Sequence, residues 1–352
     1  MSAAAASIRD ENGPDFEPAA LRDFLTGHLG RPVGELSIHA TEGGMSNPTY
    51  FVEADGWRAV LRKQPRMQLA KSAHAIDREF RVLKALAESD VPVPRAYHYH
   101  DDASVLGTPF YLMEWLEGRI FTAYAAPGIA PEERGRLYAS MCETMARIHR
   151  LDFRALGLGD YGRPGNYFER QISRWSQLWA QYRRGDDDNP DLDRLIGWLG
   201  ARIPQSAALA LCHGDFRIGN MMFHASEPRV VGVLDWELST LGHKLVDVAF
   251  NTQAWRMAPD ENGGLAGEDL AALGIPDEDA YLAHYYRHAG GEERLTDFHR
   301  AFAMFRGAVG SAGVAVRGEM GNSTLPDSAR VGRFLARAYA QRGMEIAAES
   351  GL

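Results

Sequence analysis

The chain has 352 residues, 45% hydrophobic and 24% charged, a make-up that excludes fibrous and low-complexity classes and leaves room for two lobes with separate cores. A formal net charge of −9 argues against a nucleic-acid partner, because gripping a phosphate backbone needs clustered excess Lys and Arg. Two cysteines, Cys142 and Cys212, are too few for a disulfide framework or a four-Cys metal site and read as buried thiols; with no apolar run of signal-peptide or membrane-span length, the expectation is a cytoplasmic protein with no membrane association.

Taken in order, residues 1–15 read as a mobile tail, and residues 16–29 carry Phe16, Leu21, Phe24, Leu25 and Leu29 at helical spacing before Gly30, which predicts a short leading helix. Strand-like runs follow at 35–41, 48–54 and 57–63, the last two joined by the turn dipeptide Asp55-Gly56, so an antiparallel meander is expected. A helical period returns at 72–89, with Ile76, Phe80, Leu83, Leu86 and Ala87 on one side and Ser72 as N-cap, and the Pro92 and Pro94 region ends it. Runs at 95–99 and 110–115 complete a five-stranded sheet with one helix packed on it. From residue 117 the pattern is mostly helical, at 131–151, 166–184, 190–202, 244–256, 277–289, 295–317 and 326–349. Its strand signals fall within 208–235, and the acidic run Asp186 to Asp188 reads as a solvated turn. The predicted organisation is therefore an α+β fold of two lobes, 16–116 and 117–352.

Chemistry concentrates in His213-Gly-Asp215-Phe-Arg-Ile-Gly-Asn220, on a loop after a strand. Asp215 and Asn220 have the types and spacing of a kinase catalytic loop, in which the Asp accepts the proton of an attacking hydroxyl and the Asn oxygen holds magnesium on the nucleotide phosphates. Asp235 closes the β-rich run Val230 to Leu234 and fits a second metal ligand, since a hard cation bridging phosphates needs few protein oxygens. His213 reads as an anchor of the loop in preference to a ligand. Upstream, Gly43, Gly44, Ser46 and Asn47 lie in a Gly-rich turn between strands, either a plain hairpin turn or a backbone cradle for phosphate. On the next strand Arg62 or Lys63 could grip phosphates; alternation allows only one to face the nucleotide, and the Ala59 to Arg62 run aligns best with Arg62 as the basic residue. Glu79 on the following helix is either its ion-pair partner or a surface charge. The segment Phe110 to Gly118, with Glu114 and Leu116, reads as a last strand running into a hinge whose backbone receives adenine.

In this order the elements resemble the aminoglycoside phosphotransferase and choline-kinase-like superfamily over roughly residues 35–315. The segments Gly43 to Tyr50, Val60 to Lys63, Ile76 to Phe80, Gly107 to Glu114 and Leu234 to Gly242 look like the kinase-like domain fused to some acyl-CoA dehydrogenases. The resemblance implies a protein-kinase-like fold, ATP and magnesium, and a small-molecule hydroxyl acceptor. Asp215 would be the base, Asn220 and Asp235 the metal ligands, Arg62 or Lys63 with Glu79 would serve the phosphates, and Asp247 would be a structural or pocket residue. His243 stands where the pattern has an acidic residue. For the acceptor, the subgroup suggests a hydroxyacyl-CoA or hydroxy acid and the wider superfamily an aminoglycoside or amino sugar. A nucleotide- or acyl-CoA-binding regulator without transferase activity is the alternative from another class, and a metal hydrolase built on His213, Asp215 and Asp235 lacks a second His at ligand spacing.

Overall fold

The computed structural model describes residues 8–9, 13–41, 47–66, 76–163, 165–183, 189–205, 209–321 and 327–351. The chain divides into two compact units, residues 1–120 with 221–237, and residues 121–220 with 238–352. Residues 221–237 thus fall with the first unit, where a division at residue 116 had placed them in the second.

The first unit is built on an antiparallel sheet. Its elements are β1 (Ile8–Arg9), α1 (Pro18–Leu29), β2 (Ser37–Thr41), β3 (Thr49–Ala54), β4 (Trp57–Lys63), α2 (Ile76–Leu86), β5 (Ala96–His100), α3 (Ala103–Leu106) and β6 (Phe110–Met113). Strand order is β1-β2-β3-β4-β6-β5. The five expected strands are all present, and β1 adds a sixth at one edge by pairing Ile8 and Arg9 with Thr41 and Ala40, so part of the expected tail is ordered backbone.

Alternation along β4 decides the layers. Leu61 belongs to a core that α1 closes with Leu21 and Leu25, joined by Tyr50, Val52, Phe110 and Leu112. Arg62, one residue on, faces the opposite way, toward α2. Two helices therefore cover the sheet where one was expected: the leading helix α1 has enough apolar spacing to bury a full face of its own.

The second unit contributes α4 (Pro131–Arg150), α5 (Tyr167–Tyr182), α6 (Pro190–Gly200) and β7 (Ala210–Cys212); the chain then returns to the first unit for β8 (Met221–Phe223) and β9 (Val230–Val233). It re-enters the second for β10 (Thr240–Gly242), α7 (Leu245–Thr252), α8 (Leu270–Leu273), α9 (Glu278–Ala289), α10 (Asp297–Glu319) and α11 (Ser328–Glu349). All seven expected helices are present, while β10, antiparallel to β7, and the one-turn α3 and α8 were not foreseen. Phe298, Phe302, Phe305 and Val309 of α10 pack with Leu192 and Leu195 of α6 and Tyr339 and Ile346 of α11. Cys142 and Cys212 are buried free thiols. Among the described residues no helix is long and apolar enough to cross a membrane.

Candidate active site

In the second unit the segment 213–220 leaves β7 and ends in a single 3-10 turn, Ile218–Asn220. Gly214 is at φ +86, and a side chain there would collide with the Leu238 carbonyl, so the sequence can place only glycine between His213 and Asp215. The Asn220 side-chain amide donates to the Asp215 carboxylate at 2.8 Å and to its backbone carbonyl at 2.9 Å. Arg217 Nε lies 3.3 Å from the same carboxylate oxygen. Asp215 keeps 20% side-chain exposure, whereas Asn220 is buried.

Below this loop sits Asp247, fully buried on α7. Its carboxylate accepts the His213 N–H at 2.6 Å and the Gly214 N–H at 2.8 Å, and His149 Nε2 of α4 lies 3.3 Å away. Burial alone would raise this carboxyl, but His149, His213 and the Gly214 amide outweigh it and hold it below the usual carboxylate range. An ionised carboxylate only accepts, so His149 Nε2 carries a proton toward it, and Tyr285 of α9 meets the other ring nitrogen at 2.7 Å. His213 is itself fully buried and accepts the Asp215 N–H at 3.2 Å, the anchoring geometry expected of it. Arg306, buried on α10 over the Trp175 and Phe250 rings, donates to the Gly214 carbonyl at 2.6 Å. His243 is buried with Nε2 3.3 Å from Glu293, so a carboxylate distant in sequence stands beside the histidine that breaks the acidic pattern. Burial lowers the His243 imidazole although Glu293 opposes it.

The first unit assembles a second cluster. Arg62 of β4 reaches Glu79 of α2, Nε to Oε2 3.1 Å, and donates to Asp235 at 2.8 Å, with Glu237 at 3.8 Å. Glu79 is 1% exposed because it sits on the same stripe of α2 as Ile76, Val82, Leu83 and Leu86, so it is no surface charge. Burial pushes its carboxyl up against the pull of Arg62; burial also disfavours charge on Arg62, but Glu79 and Asp235 outweigh it and keep the guanidinium ionised. Glu79 also accepts the Trp236 N–H at 3.2 Å. Asp235 itself stands at φ +64, a left-handed backbone that Asp tolerates better than most residues and that commonly marks a functional turn. Its side chain is 32% exposed. Asn47, buried, places its amide 3.5 Å from Glu237.

Lys63 is a correction. It faces the α1 side of the sheet, fully buried, with Nζ 2.7 Å from Asp15 and 5.8 Å from the centre of the Phe16 ring. Alternation separates it from Arg62, and it takes no part in the Glu79 and Asp235 cluster. Asp15, expected in the mobile tail, is its partner and also accepts the Tyr50 hydroxyl at 2.9 Å.

Beyond β6 the chain runs extended alongside β8 and β9. Arg119 and Phe223 exchange backbone hydrogen bonds at 2.7 and 2.8 Å, and Gly118 sits where any side chain would strike the Phe223 carbonyl. Glu114 exchanges bonds with Arg95, its N–H donating to the Arg95 carbonyl at 2.9 Å and its carboxylate accepting the Arg95 N–H at 3.1 Å; Leu116 packs against Gly232. Gly43, Gly44 and Ser46 lie outside the described residues. Glu237, Glu293, His149 and Arg306 were not read from the sequence. Only Glu237 had a local signal, two residues after Asp235.

Taken singly, Asp235 of the first unit is a part-exposed carboxylate and Asn220 of the second a buried side-chain amide, and each is an oxygen donor of the type a hard divalent cation takes.

A family model described as "Phosphotransferase enzyme family" matches residues 37–307. Curated relatives include mouse acyl-CoA dehydrogenase family member 10, 37% identical over 94% of this chain and 31% of the relative. Another is the Arabidopsis thaliana probable acyl-CoA dehydrogenase IBR3, 40% identical over 92% of this chain and 42% of the relative. The chain thus spans about a third to two fifths of these relatives. A Ralstonia eutropha structure assigned as an aminoglycoside phosphotransferase superposes with a TM-score of 0.83 at 40% identity, covering 95% of this chain and 99% of that one. Spectinomycin phosphotransferase bound to ADP and spectinomycin, at 10% identity and TM-score 0.63 over 94% and 98% of the two chains, shares the fold.

Proposed function

The chain belongs to the phosphotransferase enzyme family, and from that premise we propose that it moves the γ-phosphate of ATP to a hydroxyl of a small molecule. The observation that carries the reading is the Asn220 amide nitrogen held on the Asp215 carboxylate at 2.8 Å, on a loop whose two preceding N–H groups are fixed by buried Asp247. With its nitrogen so engaged, Asn220 offers its oxygen to a cation. Asp215 accepts the proton of the attacking hydroxyl, which makes that oxygen the nucleophile in an in-line displacement. Asn220 and Asp235 would hold magnesium, which when bound would supply neutralisation of the nucleotide's phosphate charge.

Arg62, oriented by Glu79, serves the phosphates, and Asn47 with Gly43, Gly44 and Ser46 supplies the turn over them. Backbone groups of the Glu114 to Leu116 segment receive the adenine. His213, Asp247, His149 and Arg306 are positioning residues, acting through the loop that carries Asp215. For the acceptor we propose a hydroxyacyl-CoA or a related hydroxy acid, supported by relatives named as acyl-CoA dehydrogenases over most of this chain. An amino sugar is the second reading, favoured by the antibiotic bound in a structure of the same fold.

The test is ADP release from magnesium-ATP with a panel of hydroxyacyl-CoAs, hydroxy acids and amino sugars. Asp215→Ala should lower acceptor-dependent turnover by about 10²- to 10⁴-fold, the usual worth of a general base. Equal turnover in wild type and variant would remove Asp215 from the chemistry.

A further inference from the structure

On the second unit, remote in sequence from every residue assigned above to phosphate or base, α4 and α9 bring together Glu143, His284 and His288. We infer that these three side chains form a binding site for a divalent transition-metal ion of the zinc type.

The geometry is that of a ligand set. Among the described residues this is the group of three or more His, Cys, Asp or Glu whose ligand atoms all lie within 4.8 Å of one another. Glu143 Oε1 is 3.1 Å from His284 Nε2 and 3.9 Å from His288 Nε2. Ligands about 2.0–2.1 Å from a tetrahedral zinc ion lie about 3.3 Å from one another, so an ion fits with small side-chain shifts. The two histidines are four apart on α9, hence on one face, with rings stacked at 4.4 Å.

Proton placement supports the same reading. His288 Nδ1 lies 2.9 Å from the His284 carbonyl, and a carbonyl only accepts, so Nδ1 holds the proton and Nε2 presents its lone pair toward Glu143. That is the outer hydrogen bond by which proteins set a metal-binding imidazole. His284 is arranged oppositely: Arg287 donates to its Nδ1 at 3.3 Å, which leaves the proton on Nε2, facing Glu143. Ion binding through Nε2 moves that proton by way of solvent to Nδ1, which requires exposed Arg287 to let go. Arg287 is therefore an antagonist of the site. Two imidazoles with one carboxylate select zinc, copper or nickel over magnesium, so magnesium does not compete.

The ion would join the two helices that carry His149 and Tyr285, the pair behind Asp247. His284 also lines a cavity of about 380 Å³ with Cys142, Ile275 and Tyr281, which can admit a water or small anion to the remaining coordination position. The inference stands apart from the phosphotransferase reading, since it uses none of its residues.

Tag-free full chain, stripped with EDTA, is titrated with zinc chloride in competition with a chromogenic chelator and excess magnesium. One zinc per chain is expected, weakened about tenfold or more by His288→Ala or Glu143→Gln and tightened by Arg287→Ala. Zinc should raise Tm in the wild type and leave that of His284→Ala/His288→Ala unmoved. Both histidines are partly exposed, so the variants spare the core, and circular dichroism checks that they fold. Absence of zinc uptake by the wild type, or an affinity unchanged in the double variant, would overturn the site.

Discussion

At the scale of single residues a charge that the sequence alone allows on the surface proves to be buried. Glu79 follows Asp77 and Arg78 and reads equally well as a helix surface charge, yet it occupies the apolar stripe of α2 at 1% exposure. Position in the helical period decides this, and Arg62 on β4 together with the Trp236 N–H makes burial tolerable. Removing one partner of such a pair leaves the other charge uncompensated in the interior. Arg62→Met should therefore cost about 3–5 kcal/mol in urea unfolding, and Arg62→Met/Glu79→Leu should recover most of that loss. Nucleotide affinity should stay low in both. A double variant as unstable as the single would show that the cost comes from shape and not from the orphaned carboxylate. Alternation on β4 was legible as a choice between Arg62 and Lys63; what was not legible was the partner of Lys63, because Asp15 lies 48 positions earlier in a segment without periodicity.

At the scale of elements, helices of the second unit were readable wherever apolar residues recur at three and four, and strands of the first wherever they alternate. Elements of three or four residues, such as β10 and α8, carry too few positions to show a period, and their pairing comes from register with distant neighbours such as β7. The start of α10 adds a titratable cap to that list. His299 sits in the first turn, its Nδ1 2.7 Å from the Thr296 hydroxyl and accepting the Thr296 N–H at 3.3 Å, packed on Phe168, Phe298 and His243. Burial, with His243 and Arg300 nearby, pushes its imidazole down to about 3. Between that value and the ordinary histidine range the unfolded chain binds a proton that the folded chain refuses, so stability falls as pH falls through this window. His243 is lowered as well and adds in the same direction; Asp247, lowered from the carboxylate range, acts only at more acid pH. From about pH 6.5 to about pH 4.5 the His299 contribution is about 2–3 kcal/mol. Gln in place of His299 keeps a capping acceptor without the titration. Unfolding midpoints of His299→Gln should decline less over that range than those of the wild type, and parallel curves would refute the assignment.

For the whole molecule the informative quantity is charge. A net −9 on 352 residues sets a long-range field that repels polyanions and attracts cations, whatever the short-range contacts of the pocket. The two proposed acceptor classes have opposite signs: a CoA ester is strongly anionic, an amino sugar cationic. Family membership and fold are common to both and cannot separate them, because acceptor specificity resides in individual side chains. Ionic strength can. Raising it from about 10 mM to about 100 mM shortens the screening length from about 30 Å to about 10 Å, which removes most of the long-range field and leaves contacts intact. With a hydroxyacyl-CoA as acceptor, KM should fall over this interval while kcat stays constant, since repulsion in the encounter is relieved and the chemical step is unaltered. An amino sugar would show the reverse, KM rising as attraction is screened. Varying salt at saturating magnesium-ATP isolates the acceptor from the nucleotide. A hydroxyacyl-CoA whose KM climbs with salt would mean that a local basic patch, and not the net charge, governs its approach.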